Sequence, residues 1–372
     1  MKKRVIAWMM AAVMASVSLA GCKGQGSGTG TSAADTTAMA DSKAEAGEAA
    51  DGDGAAAASS GDKAAEAGGA LPETDMTASI LAEENGTISV TYVKSPLNVP
   101  SIVEKDQEIF AKKFGGLGYG VAYSDLTTGP EQTQALASGD IQFLYAVGAT
   151  SVILAASNEA DIKIISTYSR SPKAFKLFGK DDSLKSPEDL RGKKVAGPKG
   201  TILHELLVAY LAGAGMTEED IEFVSMGIPD GQAALAGGSV DAALLAGPTA
   251  YNMEKDGFPV ITDGTGLTEA TIVVATSGAY IDSHPDEVKA FLEAQKEVLD
   301  SIEADEEAAM EATAKETGLT VDAVKEMAPM YDFDMTIRDS DIEAMKKTVI
   351  FMKDNGMIEN DVDIESLIWR AE

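Results

Sequence analysis

From residue 87 onward the apolar positions change period again and again. Thr87-Ile88-Ser89-Val90-Thr91-Tyr92-Val93 alternates residue by residue, the mark of a strand with one face buried. A helical stretch follows over 102–114, then a strand at 120–123, a short helix at 130–138, a strand at 141–145, a helix at 149–157 and a strand at 162–167. After Lys176-Leu177-Phe178 the pattern starts again. It predicts a strand at 195–196, a helix at 202–212, a strand at 222–224, a short helix at 230–236, and strands at 240–245, 260–261 and 272–275. From Asp286 the chain is helix-rich and acidic on one face, with Met327, Met330, Met335 and Met352 expected in the core. Strands alternating with helices at this spacing predict an α/β fold.

An internal match bears on the architecture. Pro130–Gly148 (PEQTQALASGDIQFLYAVG) aligns without a gap on Pro229–Gly247 (PDGQAALAGGSVDAALLAG), at an offset of 229 − 130 = 99 residues. Both describe a short helix with Pro in its first turn, a Gly stop and a buried strand. The repeat predicts two lobes of like build with a cleft between them. The expected boundaries are lobe one over 86–179, lobe two over 180–275, and a return to lobe one with C-terminal helices over 276–372. Crossings near Ser169–Lys180 and Thr271–Tyr280 would form a two-segment hinge.

Ahead of the lobes the texture differs. Lys2, Lys3 and Arg4 precede an apolar run from Val5 to about Val17, and small residues lead to Leu19-Ala20-Gly21-Cys22. This is the pattern of a signal peptide over 1–21. Its last four residues resemble a bacterial lipobox, which implies cleavage before Cys22 and a lipid on the Cys22 thiol. The mature protein is then extracytoplasmic and lipid-anchored to the outer face of the cell membrane. Residues 22–85 read as the lipidated cysteine and an acidic Gly/Ala/Ser tether, too poor in large apolar residues to order itself. Its r.m.s. span is roughly 45 Å.

Composition closes off several classes of function. Cys22 is the sole cysteine in 372 residues, which excludes an internal disulfide, a second thiol nucleophile and a Cys-ligated metal. With only His204 and His284, a His-rich metal site is excluded too, and no cofactor is called for. The formal net charge of −30 argues against nucleic acid and anionic membrane as partners, because the long-range field repels both. It leaves room for a small anion, since screening leaves local donors in control.

In an α/β lobe, ligands meet the C-terminal ends of strands beside helix N-termini. The strand-to-helix loops supply the candidate ligand contacts: Ser95 and Asn98; Thr128 and Gly129; Gly148, Ala149 and Thr150; Arg170; Gly200 and Thr201; Asp230; and Gly247. Gly200 lets backbone approach a ligand, Thr201 caps a helix, and the free N–H groups suit a sulfonate or carboxylate. The bland alternative is an ordinary capped helix. His204, one turn further on, either faces the cleft or packs inside. Arg170 is either a hinge-side anion donor or a surface charge, and Lys173 reads as surface. Gly116-Leu117-Gly118-Tyr119-Gly120 precedes a strand instead of opening a helix, so it is no dinucleotide loop.

Several longer stretches carry a family resemblance. They are Gly129-Pro130 through Ala135-Leu136-Ala137-Ser138-Gly139-Asp140-Ile141, Ser171-Pro172-Lys173-Ala174, Leu184 to Ala196, Lys199-Gly200-Thr201 with His204, Gly238-Ser239-Val240-Asp241-Ala242, and His284-Pro285-Asp286-Glu287-Val288. Together they resemble the extracytoplasmic solute-binding proteins of ABC importers for aliphatic sulfonates, taurine and nitrate, with the thiamine-pyrimidine-precursor binders as relatives. The resemblance covers most of 87–300. It implies a type II periplasmic-binding-protein fold, two lobes closing over a small sulfonate- or nitrate-like solute, and no catalysis. The implied partners are that solute and an ABC permease with its ATPase, the chain itself being a monomer. Gln142 departs from the family, which usually carries an acidic residue there. Two alternatives share the fold: a ligand-sensing surface lipoprotein without transport, and a binder of a thiamine pyrimidine precursor. A pyrimidine-precursor synthase of this fold would need a cysteine-rich motif that the chain lacks.

Overall fold

The computed structural model describes residues 85–371. The expected signal peptide, Cys22 and the tether up to residue 84 lie outside the described residues. The first lobe opens with β1 (Thr87–Thr91), α1 (Val99–Asp106), α2 (Ile109–Gly115), β2 (Gly120–Ser124), α3 (Gly129–Ser138), β3 (Leu144–Gly148), α4 (Ala149–Ser157) and β4 (Lys163–Arg170). The chain then crosses into β5 (Phe175–Gly179), β6 (Lys194–Gly197), α5 (Ile202–Ala212), β7 (Glu222–Ser225), α6 (Ile228–Ala236), β8 (Ala242–Ala246), α7 (Gly247–Lys255) and β9 (Val260–Asp263). It returns through β10 (Thr271–Thr276) to α8 (Gly278–Ser283), α9 (Pro285–Ala304), α10 (Glu306–Thr317), α11 (Val321–Met327), α12 (Asp339–Asp354) and α13 (Ile364–Leu367).

The second lobe is one sheet, ordered β7-β6-β8-β5-β9. It is parallel across β7, β6 and β8, and antiparallel on both sides of β5. The first lobe repeats that plan. A parallel β1-β2 pair meets the antiparallel set β3-β10-β4 through a single bridge from Val90 to Phe143, which gives the order β2-β1-β3-β10-β4. Each sheet therefore holds one antiparallel strand inserted beside its third strand. The internal match sits in equivalent places, with α3 and β3 in one lobe and α6 and β8 in the other. The lobe boundaries differ from those expected at 179/180 and 275/276. β5, expected with lobe one, pairs in the second sheet, and most of β10, expected with lobe two, pairs in the first. The chain thus crosses at 171–174 and 264–270.

Burial follows position in the sheet. β8 and β10 are buried along their whole length, as central strands covered on both faces must be. α9 buries Val288, Phe291, Ala294 and Val298, one stripe of a 3.6-residue period. Phe291 packs on Phe143 (centroids 4.2 Å apart) and Phe110 (4.7 Å), which fixes α2 and α9 on the first sheet. The free edge of β4 is covered by the C-terminal segment. Thr167 N donates to Met335 O (3.0 Å) and Trp369 N to Ile164 O (2.9 Å), so no bare strand edge is left there. Met327 and Met352 are buried as expected, whereas Met330 and Met335 are half-buried. Among the described residues no helix is long and apolar enough to cross a membrane.

Candidate functional site

A cavity of about 80 Å³ lies between the lobes. Lobe one contributes Val93, Ser95, Pro96, Thr127, Gly129, Gln132, Ala146, Gly148 and Ser151. Lobe two contributes Phe175, Pro198, Thr201, Ile202, Leu203 and Ile228, and Ile272 of β10 lines the hinge side. No lining side chain carries a formal charge; the polar ones are four hydroxyls and one amide: Ser95, Ser151, Thr127, Thr201 and Gln132.

The polarity of the site comes from backbone. Four helices begin on the cavity: α3 at Gly129, α4 at its cap Gly148, α5 at its cap Thr201, and α6 at Ile228. The first turns of α4, α5 and α6 have no side-chain cap, because Gly148 and Gly227 have no side chain to offer and Thr201 Oγ1 donates to Pro198 O (2.8 Å). Their N–H groups and partial positive charge face the solute space. Gln132 is buried and its Nε2 donates to Leu126 O (3.1 Å), while its Oε1 has no partner. Ala146 stands at φ +80° in a β-bulge opposite Val273 and Val274. Such a residue costs energy outside glycine, and the bulge turns the end of β3 toward the cavity.

The structure divides the sequence-selected residues. Ser95, Gly129, Gly148 and Thr201 line the cavity. Gly129 is required sterically, since a Cβ there would collide with Ser151 Oγ. Asn98 is buried under the first loop, where Nδ2 donates to Val93 O (2.8 Å) and Ser95 O (3.2 Å), so it braces that loop. Thr128 is taken up by a capping box with Glu131. Ala149 is buried behind Gly148 in the opening turn of α4. Thr150 points away from the cavity and donates to Glu205. Gly200 meets lobe one instead of the cavity: its carbonyl accepts from Ser151 Oγ (2.9 Å), and Leu154 and Pro130 stand against its Cα. Gly247, at φ +63°, lies directly on the Pro96 carbonyl.

Three candidates are elsewhere. His204 packs on Phe223 and lines an outer groove; its Nδ1 accepts from Gly200 N (3.3 Å) and its Nε2 pairs with Glu218, while burial holds its pKa below the usual histidine range. Arg170 is neither donor to the cleft nor free at the surface. It binds Asp341 (Nε to Oδ1, 2.6 Å) and Thr336 O (2.8 Å), tying β4 to the C-terminal segment. Asp230 is exposed on the first turn of α6 and lines no part of the cavity. Sequence reasoning missed Gln132, Ser151, Phe175, Ile228 and Ile272. For the first two a signal existed, because each lies in the first turn of a helix that opens on a strand-to-helix loop. Gln142, the departure from the family pattern, is used locally: its Oε1 accepts from Ser89 N (2.8 Å) and its Nε2 donates to Gly139 O (3.0 Å). Among the described residues no cluster of three or more His, Cys, Asp or Glu side chains could hold a metal.

Two matched α/β lobes, two crossings and an interlobe cavity framed by helix N-termini define a periplasmic-binding-protein fold. The chain belongs to the NMT1/THI5-like family, whose model matches residues 118–309. It is 29% identical over 215 residues to the taurine-binding periplasmic protein of Escherichia coli (strain K12), a match that covers 57% of this chain and 65% of that protein. It is 24% identical over 290 residues to a protein of the same organism named for binding aliphatic sulfonates, covering 76% of this chain and 88% of the other. An alkanesulfonate-binding protein of Xanthomonas axonopodis pv. citri, solved with bound MOPS, shares the fold with a TM-score of 0.70 at 22% identity, over 77% of this chain and 98% of that one.

Proposed function

We propose that this chain is the extracytoplasmic solute-binding component of an ABC importer, non-catalytic, that takes up a small anion by closing two lobes over it and presents it to a permease. The observation that carries the reading is the convergence of four helix N-termini, three of them without side-chain caps, on a cavity whose side chains are all uncharged. Such a lining favours a compact anion whose charge is met by N–H groups and not by an ion pair. The names of the relatives support a sulfonate as the class. The lobes would be the two sheet units, hinged at 171–174 and 264–270. A thermal-shift panel of sulfonates, nitrate, sulfate and amino acids tests it. A true solute at a hundred times its Kd adds about 2.7 kcal/mol of stability. No shift with any anion would sink the reading. A second reading, a thiamine pyrimidine precursor, is favoured by the unpaired Gln132 Oε1, which would accept from a ligand N–H; that compound belongs in the same panel.

The lipid anchor on Cys22 is part of the same proposal. Stable anchoring needs more than one acyl chain, and the lipobox-like run supplies the cysteine for them. Replacing Cys22→Ala should move the protein from the membrane fraction to the soluble one; retention in the membrane would remove the anchor from the proposal.

A further inference from the structure

Glu205 is the fourth residue of α5 and is only 4% exposed. Its hydrogen-bond partners are hydroxyls, not cations. Its Oε2 accepts from Thr150 Oγ1 and its Oε1 accepts from Thr348 Oγ1 (3.1 Å), and Thr268 lines the same recess. Both donors, and Thr268 beside them, come from outside its own lobe. Thr150 is the second residue of α4, Thr348 lies in α12, and Thr268 sits in the returning crossing. Lys347 and Glu269 border the same recess but are exposed. A carboxylate withdrawn from water needs donors on its lone pairs. Glu205 finds them only while the lobes are together, and full opening returns it to water. A partial opening that removes one donor without admitting water is worse than either end state, so this group favours two discrete states.

We propose that Glu205 is a positioning residue for solute capture: with Thr150 and Thr348 it ties the start of α4 to the start of α5 and holds the closed form. The proposal rests on the interlobe cavity being the solute site. Neither Glu205 nor Thr348 lines that cavity, so neither acts by touching the solute.

The test uses Thr348→Val and Thr348→Ser, with Glu205→Ala as a second variant, in the full mature chain. Spin labels at Glu188→Cys and Glu359→Cys, both exposed, report the closed fraction without solute, with Cys22→Ser to keep the labels unique. Stopped-flow displacement gives the dissociation rate of ethanesulfonate. Thr348→Val should lower the closed fraction and raise the dissociation rate, each about fivefold, with the association rate unchanged. Thr348→Ser should keep both at the parent level. A parent-like closed fraction in Thr348→Val, or a Ser variant as impaired as the Val variant, would overturn the proposal. If ethanesulfonate fails to bind the parent chain, the sulfonate reading falls, and the label distances alone decide on Glu205.

Discussion

Glu104 shows what burial does to a single carboxyl. It sits in α1, 1% exposed, and its Oε1 accepts from Phe110 N (3.0 Å) and Tyr123 OH (2.7 Å). Desolvation outweighs those bonds and the nearby Lys105, and the pKa is pushed up from 4.5 to about 7. Between those values the folded state keeps a proton that the unfolded state has lost. Stability therefore falls as pH rises through this window, and the loss is complete above about pH 7. Glu104→Gln keeps an oxygen for both donors and removes the charge. It should stabilise the protein at pH 8 by roughly 1–3 kcal/mol and flatten the stability profile between pH 5 and 8, as read by urea unfolding. An unchanged profile would mean that Glu104 is solvated in the folded state. Residue-scale roles of this kind were the least legible in the sequence. The residues Arg170, His204 and Thr150 all stood beside strand-to-helix loops, yet each is consumed by a partner far along the chain: Asp341, Glu218 and Glu205. Local pattern carries no information on such partners.

Elements were far more legible, because their signals are local. The Pro130 and Pro229 helices form as α3 and α6, and each runs into a strand, as the 99-residue repeat predicts. The Gly stops work as argued: Gly139 closes α3 at φ +82°. Sheet order was legible only in part. Parallel neighbours such as β6 and β8 follow from a strand–helix–strand rhythm. β5 and β10 do not: β5 pairs antiparallel with β8 and β9, which come some sixty residues or more later, and β10 pairs with β3 and β4, from which the whole second lobe separates it. This is why the expected lobe boundaries, at 179/180 and 275/276, lay several residues late. The cavity followed from the elements: loops at strand ends were named in advance, and four of the candidates lie on it. Gln132 and Ser151 were missed because they sit past the loop, inside the first helical turn, where the side chain of a helix that opens on a cleft still reaches it.

At the scale of the molecule, function depends on how closely the lobes approach. They meet at small residues. Gly200 of lobe two rests on Leu154 and Pro130, and Gly247 rests on the Pro96 carbonyl. Outside the cavity, Tyr251 and Lys255 of α7 reach Glu326 of α11 (2.9 and 3.0 Å), an exposed contact of small weight. The Gly247 contact is different in kind, because backbone meets backbone there and no side chain can yield. A Cβ at Gly247 would collide with Pro96 C and O, so Gly247→Ala should stop the lobes short of the closed form. It also carries a cost of its own, since φ +63° suits glycine better than alanine. Gly238→Ala separates the two effects: φ is +70° there, and a Cβ meets nothing within 4 Å. Both variants should lose a similar stability, about 1 kcal/mol, in thermal unfolding without solute. Only Gly247→Ala should weaken solute binding, about tenfold or more, and abolish the compaction seen by small-angle scattering when solute is added. Equal affinity in the two variants would show that the solute is held without the approach of Gly247 to Pro96, and closure would have to be sought in another contact.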